Sequence, residues 1–466
     1  MATTKDYRLG EFTFPRGWFM IADAEELNTH KPLAVRFFGK DFALYRGRAT
    51  GKVILLDAYC PHMKTHLAAP NNTSYVVIDG GGSNVEGDGI RCPYHAWRFG
   101  ADGKCDDIPY HQGPIPAAAC VKSWTVVESL GAIWVWHDPE GGEPEWAHPS
   151  LPQWDDPSWV RGHWDHLGML NQHPQEVVDN IVDYGHLSPI HGSTVERYEN
   201  EFKGHNAIQR QCGGHRTLVG SDPANSTLYT DTVYHGPGVL ISMLTGMFET
   251  ALLIMHTPVD DGSVKVWHSL IVKSPGGNAQ VNTSDLVAAR QFQESSRLAF
   301  AQDFEVWTNK APCLNGLFIP SDGPFMKARI WYKQFSTRVP RRASTWSNAK
   351  ACTCPAARRR TVSAVLPPWP KPPPDFFGPV PPPWAAVCLP PTAGFLWGNQ
   401  GRWCVTWVNM NTDCFRSTSA LYGVGNWQRR SRTLLRISGA PLPLRLSAKA
   451  ARAASALSNH HSAMAS

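Results

Sequence analysis

The sequence predicts an α+β chain in which a small all-β region precedes a second region made of an antiparallel sheet and a long helix. Short strand-like runs separated by turn residues fill residues 16–58, which is typical of a β-rich region. Residues 228–273 alternate apolar and polar side chains, and residues 283–309 repeat apolar side chains at helical spacing. A helix lying across an antiparallel sheet leaves a cavity between the two, so an apolar pocket is expected there.

The length of 466 residues allows two or three domains. The net charge of +5 is unevenly distributed, because residues 341–466 carry 16 basic and two acidic side chains. The first 340 residues hold 28 basic and 37 acidic side chains, which predicts a moderately acidic soluble protein. No apolar run reaches the length of about 18 residues that a membrane span needs, and the first residues lack an apolar signal core, so a cytoplasmic location is expected.

Two hairpins and one buried strand are predicted within the β-rich region. The first hairpin covers residues 34–45 with a Gly-Lys-Asp turn, and the second covers residues 123–137. The strand at residues 53–57 leads directly into a loop that carries ligand-type side chains. A Gly-, Pro- and Glu-rich linker at residues 138–144 marks the end of the region.

Two short motifs on the predicted loops each supply one thiolate and one imidazole, namely Cys60-x-His62 and Cys92-x-x-His95. Two thiolates on one iron and two imidazoles on the other are the ligands of a Rieske [2Fe–2S] cluster, and the two histidines raise its potential. A structural zinc site is the alternative interpretation. Zinc sites of this composition commonly pair Cys with Cys and His with His, so the mixed pairs favour the cluster.

A second group of ligand-type side chains follows further along the chain. A helix from Gln175 to His191 with a break near Pro189 is predicted. Asp183 and His186 share one face of it, and the break returns His191 toward His186. The long helix contributes Asp303, an acid among apolar neighbours. Two imidazoles and one carboxylate form the facial triad of non-heme Fe(II) oxygenases, which leaves open positions for O₂. Each of these residues alone is commonly structural, but their joint occurrence favours a metal site.

The chain resembles the oxygenase (alpha) subunits of Rieske non-heme iron oxygenases, and among them the 3-ketosteroid 9α-hydroxylase oxygenase component and the cholesterol 7-desaturases. The similarity covers about residues 15–336 and is carried by the two cluster motifs and by residues 178–191, 302–307 and 322–335. It implies that Cys60 and Cys92 bind one iron of the cluster and that His62 and His95 bind the other. It further implies that His186, His191 and Asp303 are the ligands of a mononuclear Fe(II). Asp183 and Asn180 are the two catalytic residues that it implies.

By the same resemblance, Asp183 is the acid that links a ligand histidine to a Rieske histidine of the neighbouring subunit, because a carboxylate accepts from ring N–H groups on both sides. A ring-shaped homotrimer follows from that link. A ferredoxin or flavin reductase would bring electrons from NAD(P)H to the cluster. O₂ would then be activated at the iron and an apolar steroid or sterol-like substrate hydroxylated. Neither a nucleic acid partner nor a membrane span is expected.

The predicted organisation has three parts, which are a Rieske [2Fe–2S] domain at 16–140, a catalytic non-heme iron domain at 160–336 and a tail at 337–466. The 29 residues between His62 and Cys92 form a longer Gly/Asn/Ser-rich excursion than the resemblance implies. The tail is rich in Pro, Arg and Ala, with twelve prolines within residues 367–391, and is predicted to be disordered. A basic arm that binds acidic partners or nucleic acid is a second interpretation of the tail. Translation of a shifted or unspliced reading frame is the third, and the abrupt change of composition favours it.

Three function classes remain open at this point. The first is an oxygenase, acting by 9α-hydroxylation, by sterol 7-desaturation or on another polycyclic or aromatic compound. The second is a Rieske electron-transfer protein without oxygenation, and the third is a zinc-stabilised interaction module with a basic tail. For the oxygenase, Met243, Leu244 and Phe248 are expected to line the substrate cavity. The ring position that is oxidised depends on ångström-scale placement over the iron, which residue types do not reveal.

Overall fold

The computed structural model describes residues 1–27, 30–219, 227–246 and 249–339. The predicted disordered tail, apart from residues 337–339, lies outside this described part, and so does Phe248. All described residues belong to one unit of the chain by their internal contacts. Within these ranges, every helix is too short or too polar to cross a bilayer.

The first part of the chain contains three small antiparallel sheets, ordered β2-β3-β4, β5-β6-β7-β8 and β1-β10-β9. Their strands and one short helix are β1 (Gly17–Asp23), β2 (Leu33–Phe37), β3 (Lys40–Arg46), β4 (Val53–Asp57), α1 (Tyr75–Asp79), β5 (Val85–Glu86), β6 (Gly89–Arg91), β7 (Arg98–Phe99), β8 (Cys105–Asp107), β9 (Val126–Ser129) and β10 (Ala132–His137). Both predicted hairpins are confirmed. Their turns at Phe38-Gly39 and Leu130-Gly131 have positive φ at both residues, as the tight hairpin turn that matches strand twist requires. The predicted Gly-Lys-Asp turn of the first hairpin is wrong by one residue, because Lys40 pairs with Phe37 and already begins β3.

The second part is an eight-stranded antiparallel sheet with helices on one side. The strand order is β11-β18-β17-β16-β15-β14-β13, with β12 also paired to β18. The strands are β11 (Trp159–Arg161), β12 (Asp165–Leu170), β13 (Thr194–Lys203), β14 (Asn206–Gly214), β15 (Thr227–His235), β16 (Val239–Thr245), β17 (Thr250–Pro258) and β18 (Val264–Lys273). The helices are α2 (Pro174–Val178), α3 (Leu187–His191), α4 (Arg216–Val219), α5 (Thr283–Asn309) and α6 (Phe325–Lys333), and 3₁₀ turns occur at Ala24–Leu27, Pro152–Trp154, Asp179–Val182 and Gln334–Ser336.

The long helix α5 has the bounds that the sequence predicts. Its first turn is closed by a capping box, in which the Asn282 side chain accepts from the Asp285 N–H and the Asp285 carboxylate accepts from the Asn282 N–H. The predicted architecture, an all-β region followed by a helix across an antiparallel sheet, is therefore confirmed.

The two faces of the large sheet have different partners because side chains alternate along each strand. Ile241, Leu253 and Trp267 pack in one core with Trp134 of β10, which joins the sheet to the first part of the chain. The opposite face lies under α5 and encloses the cavity. Leu244 lines this cavity as predicted, whereas Met243 packs against the core on the other face, so its predicted placement is wrong.

Candidate active site

The two loops that carry the cluster-type ligands follow β4 and β6 and have the same backbone path. In each loop the residue four positions after the cysteine donates its N–H to the cysteine carbonyl, from Lys64 to Cys60 at 2.9 Å and from Ala96 to Cys92 at 3.0 Å. The cysteine N–H donates in turn to the carbonyl five positions later, at 3.0 and 2.8 Å. Lys64 and Ala96 close these turns in the left-handed conformation, with φ of 56° and 58°.

Among the four predicted cluster ligands, the two cysteines lie inside the loops and the two histidines lie nearer to the surface. The Cys60 and Cys92 side chains are buried, whereas His62 is exposed and His95 half-buried, with their ring centroids 4.5 Å apart. The Cys60 thiol donates a hydrogen bond to the Cys92 sulfur, which raises the pKa of Cys60 and, against burial, lowers the pKa of Cys92 to about 6. This arrangement fits two thiolates on an inner iron and two imidazoles on an outer one.

Two residues that sequence reasoning missed contact these ligands. The Thr65 hydroxyl and the backbone N–H groups of Tyr94 and His95 donate to the Cys92 sulfur. Trp97 stacks on His62 with ring centroids 4.7 Å apart and an interplanar angle of 4°. Hydrogen bonds to ligand sulfurs are among the factors that set the potential of an iron–sulfur cluster. Proximity to the motifs was the only sequence signal for either residue.

The excursion between the two loops includes α1 and is anchored at both of its ends. Ser74 Oγ donates to the Pro93 carbonyl at 2.6 Å. The Asn84 amide donates to the carbonyls of Leu67 and Arg91 at 2.8 and 2.6 Å. The added residues therefore brace the two ligand loops against each other.

The second predicted ligand group converges at the wall of the cavity. One ligand atom each from His186, His191 and Asp303 lies within 4.8 Å of the others. Asp303 Oδ1 is 3.8 Å from His186 Nε2, and Asp303 Oδ2 is 3.3 Å from His191 Nε2. Two imidazole nitrogens and a carboxylate, mostly buried and open on the cavity side, match the donor set of a non-heme Fe(II) site.

The predicted helix with a break near Pro189 is wrong in its details. α2 ends at Val178, a 3₁₀ turn follows, and the chain is extended at Asp183, with ψ of 92°, before α3 begins at Leu187. Pro189 lies in the first turn of α3, where its missing N–H needs no partner. Asp183 and His186 therefore do not share a helical face, and the turn before α3 orients His186.

Each ligand histidine is held by its other ring nitrogen. His186 Nδ1 donates to the Asp183 carbonyl at 2.6 Å, and His191 Nδ1 donates to Gln302 Oε1 at 3.1 Å. Both Nε2 atoms are then acceptors that face Asp303, which is the tautomer a metal requires. Gln302 was missed by sequence reasoning, although it directly precedes Asp303 on α5.

The two predicted catalytic residues both contact His186. The Asp183 carboxylate accepts from the His186 backbone N–H at 3.2 Å, and its other oxygen lies 3.7 Å from His186 Nδ1. About a third of the Asp183 side chain is exposed. Asn180 Nδ2 lies 3.2 Å from His186 Nε2. Burial opposes the charged form of His186, but the Asp183 and Asp303 carboxylates outweigh it and raise its pKa, so the site favours a cation.

The cavity lies between α5 and strands β14–β17 and has a volume of about 840 Å³ including its open mouth. Most of its wall is apolar, and a polar strip crosses its floor. The strip is formed by Gln209, Gln211, Thr230, Thr232 and Ser242. His215, also missed by sequence reasoning, stacks on His191 at 5.0 Å, and burial lowers its pKa to about 4. A pocket with a mostly apolar wall and a few polar groups suits an apolar small molecule.

Comparison with known proteins identifies two matching families. The family described as Rieske [2Fe-2S] domain matches residues 17–125, and the family described as 3-Ketosteroid 9alpha-hydroxylase C-terminal domain matches residues 135–336. An oxygenase component of 3-ketosteroid-9-alpha-monooxygenase from Rhodococcus rhodochrous is 34% identical over 340 residues, covering 70% of this chain and 82% of the relative. Cholesterol 7-desaturase nvd 2 from Ciona intestinalis is 30% identical over 357 residues, covering 70% of this chain and 74% of the relative.

Solved structures of similar fold are more distant in sequence. Apo dicamba monooxygenase superposes with a TM-score of 0.53 at 19% identity, covering 70% of this chain and 98% of the other. NdmB of Pseudomonas putida CBB5 superposes with a TM-score of 0.54 at 17% identity, covering 72% and 96%. At these identities the similarity establishes a common fold.

Proposed function

Because the chain belongs to the Rieske non-heme iron oxygenases, in the group of the 3-ketosteroid 9α-hydroxylase oxygenase components, we propose that it hydroxylates a steroid or sterol-like substrate with O₂. It does so as the oxygenase component of a multicomponent monooxygenase. The observation that carries the proposal is the convergence of His186, His191 and Asp303 at the wall of a largely apolar cavity. The names of its relatives, which are oxygenase components and a cholesterol desaturase, support the substrate class.

When bound, the Rieske cluster supplies electrons one at a time, and Fe(II) at the three cavity ligands supplies the activation of O₂. The protein residues orient the ligands and shape the site. Gln302 and the Asp183 carbonyl fix the tautomers of His191 and His186. Apolar side chains such as Phe300 and Trp307 line the cavity and exclude water from the reacting carbon.

The relatives are named oxygenase components, so a separate protein supplies the electrons. We propose a ferredoxin or flavin reductase that draws on NAD(P)H, with entry near the exposed ring of His62. We also propose a homotrimer in which Asp183 links His186 to a Rieske histidine of the adjacent subunit. The partial exposure of Asp183 and its contact with His186 support this role.

The test is a panel of steroids and sterols incubated with the purified chain, a reductase, NADH and ¹⁸O₂. We expect a product that carries one ¹⁸O atom, measured by mass spectrometry, and a Rieske electron-paramagnetic-resonance signal after reduction. The His186→Ala variant is expected to lose turnover and to keep that signal. Absence of the Rieske signal, or full turnover by His186→Ala, would refute the proposal.

The same experiment separates the alternatives. A sterol 7-desaturase would yield a product lighter by two hydrogen atoms and free of ¹⁸O, and the similarity to the cholesterol 7-desaturase favours this as the second candidate. An electron-transfer protein would contain only the two irons of the cluster in each chain and would consume no O₂.

A further inference from the structure

The short segment that carries Asp183 rests on a turn from a distant part of the sequence. The turn is Asp322-Gly323, which ends the loop between α5 and α6. The Tyr184 N–H donates to the Asp322 carbonyl at 2.8 Å. Gly323 lies so close to the Val182 carbonyl that an added Cβ would come within 1.7 Å of its oxygen. The residues directly before and after Asp183 therefore both contact this turn, which has no part in the proposed function above.

The contact at Gly323 leaves no room for any other residue type. Its φ is +129°, a conformation that side chains rarely adopt. The space that a Cβ would need is bounded by backbone atoms, with the Val182 carbonyl carbon at 3.0 Å and the Tyr184 nitrogen at 3.6 Å. Because backbone atoms cannot swing aside like the end of a flexible side chain, a larger residue must distort either the turn or the segment.

The turn is held in place by its own contacts and by α6. The Ile319 N–H donates to Asp322 Oδ2 at 2.9 Å, which closes the loop on itself. Further along α6, Arg329 Nη2 and Nε lie 2.5 and 3.2 Å from Oδ2 of Asp179, the first residue of the 3₁₀ turn that precedes Asp183. The loop and α6 thus grip the ligand segment at two points.

Both sides of the contact are anchored in one hydrophobic core. Val182 is buried there together with Phe325 and Ala328 of α6. Neither the turn nor the segment can therefore withdraw as a whole. Since the backbone is soft only at φ and ψ, the easiest response to an added Cβ is rotation of the peptide plane between Val182 and Asp183. That rotation reorients Asp183.

The orientation of Asp183 matters because two of its groups hold His186. The Asp183 carbonyl accepts from His186 Nδ1 at 2.6 Å, and its carboxylate accepts from the His186 N–H at 3.2 Å. The first of these bonds keeps the proton on Nδ1 and leaves Nε2 to bind a metal. A change at Gly323 can thus reach the ring of His186 through a single intervening residue.

We propose that the Asp322-Gly323 turn is a positioning element that sets the orientation of Asp183 and, through it, of His186 as an Fe(II) ligand. Neither residue of the turn lines the cavity, so both act on the site through Asp183. The inference rests on the proposed function, because it takes His186 to bind iron.

The test is anaerobic titration of the iron-free site with Fe(II) in the full chain that retains its cluster, without substrate or reductase. We expect Gly323→Ala to bind Fe(II) about 10- to 100-fold more weakly than the wild-type chain, as is typical when the outer partner of a ligand histidine is lost. The cluster signal in electron paramagnetic resonance should be unchanged. An unchanged Fe(II) affinity in Gly323→Ala would overturn the inference alone, whereas a wild-type site that binds no Fe(II) would refute the proposed function as well.

Gly168→Ala is the matched control for backbone strain. Gly168 also has a positive φ, of +92°, but an added Cβ there meets nothing within 4 Å. The variant is expected to lose stability and to keep the wild-type affinity for Fe(II). Equal losses of Fe(II) affinity in the two glycine variants would show a general effect of instability and would overturn the assignment.

Two variants of Asp322 keep the test decisive if Gly323→Ala does not fold. Asp322→Ala removes the acceptor that closes the turn on the Ile319 N–H, so we expect the affinity for Fe(II) to fall by up to about 10-fold. Asp322→Asn keeps an oxygen at that place and is expected to retain the wild-type affinity. Equal affinities in Asp322→Ala and Asp322→Asn would then overturn the proposal.

Discussion

The two ligand sets of this chain are built in opposite ways. Cys60 and His62, like Cys92 and His95, lie within one short loop that closes on its own backbone hydrogen bonds. His186 and His191 come from a different segment than Asp303, and they meet only when α5 is docked beside α3. The first set is local and shaped by backbone, whereas the second is assembled by tertiary packing.

The two sets also differ in exposure. The His62 ring is exposed, whereas His191 and Asp303 are buried at the cavity wall. An exposed edge suits the entry of electrons from another protein, and a buried, polarising site suits chemistry that must exclude water. The comparison teaches that the geometry of the candidate cluster site depends on two local loops, while the geometry of the candidate iron site depends on the register of one helix.

Removal of Asp303 tests this separation with the largest expected effect. Asp303→Ala takes away the only carboxylate of the triad, so we expect loss of mononuclear iron and at least about a 100-fold loss of turnover. The reduced cluster signal should remain, because its ligands are on independent loops. Iron content and electron paramagnetic resonance measure the two outcomes. Glu305→Gln, an exposed change on the same helix, is the control, and loss of the cluster in Asp303→Ala would contradict the separation.

A buried histidine in the first part of the chain offers a test by acid. His137 packs between Phe38 and Trp124, and burial lowers its pKa from 6.5 to about 4. A histidine held neutral in the folded state stabilises the fold above pH 6.5. Its contribution of about 3 kcal/mol is lost as pH falls through 4. We expect the free energy of unfolding of His137→Phe to fall less steeply with decreasing pH than that of the wild-type chain, as measured by denaturant titration.

The control for the acid test is His111→Phe, which changes an exposed histidine of the same region and should leave the slope unaltered. If the free energy of unfolding falls as steeply with decreasing pH in His137→Phe as in the wild-type chain, another titrating group dominates the acid dependence.

The next effect concerns the residue that orients His191. Gln302→Leu removes the acceptor of His191 Nδ1–H, so we expect the affinity for Fe(II) to fall by about 10- to 100-fold, with the cluster unchanged. Gln302→Glu keeps an acceptor at the same place and is the matched control. Iron binding is measured by titration of the iron-free site with Fe(II). An equal affinity in Gln302→Leu and the wild-type chain would show that packing alone orients His191.

What could be predicted from the sequence follows the same division. The hairpins, the strand at Val53–Asp57 and the bounds of α5 were predictable because turn residues, apolar runs and apolar side chains at helical spacing are local signals. The contact of Gln302 with His191 could not be predicted, because it depends on how α5 docks. The break before α3 was misplaced at Pro189 because a proline in a first turn leaves a helix intact, and the true turn at Asp183 has no strong local signal.

The same limit applies to segments that meet only in the folded chain. The Asp322-Gly323 turn contacts the residues on either side of Asp183, and no spacing along the chain connects them. Thr65 lies close to His62 in sequence, yet its contact is with the sulfur of the other loop, on Cys92. Ligand types could therefore be predicted from the sequence, while the side chains that support them required the fold.

The smallest effect tests whether the two cluster loops are equivalent. The two loops share one backbone path, although His62 lies two residues after Cys60 and His95 lies three residues after Cys92. Each loop also requires one residue in the left-handed conformation, which is Lys64 in the first loop and Ala96 in the second. That conformation costs about 1–2 kcal/mol for a residue with a side chain, and glycine avoids this cost but loses about 0.5–1 kcal/mol to backbone entropy. We therefore expect Lys64→Gly and Ala96→Gly each to stabilise the cluster-loaded chain by up to about 1 kcal/mol.

The control for the loop variants is Ala101→Gly, at an exposed turn position that does not have positive φ. With no strain to relieve there, glycine should destabilise by about 0.5–1 kcal/mol, so the sign separates the loop positions from an ordinary turn. The free energy of unfolding from denaturant titration is the measurement. Equal gains at Lys64 and Ala96 would mean that backbone closure, and not the position of the histidine, sets the geometry of both loops. Losses at both would mean that the two side chains contribute more than their strain costs.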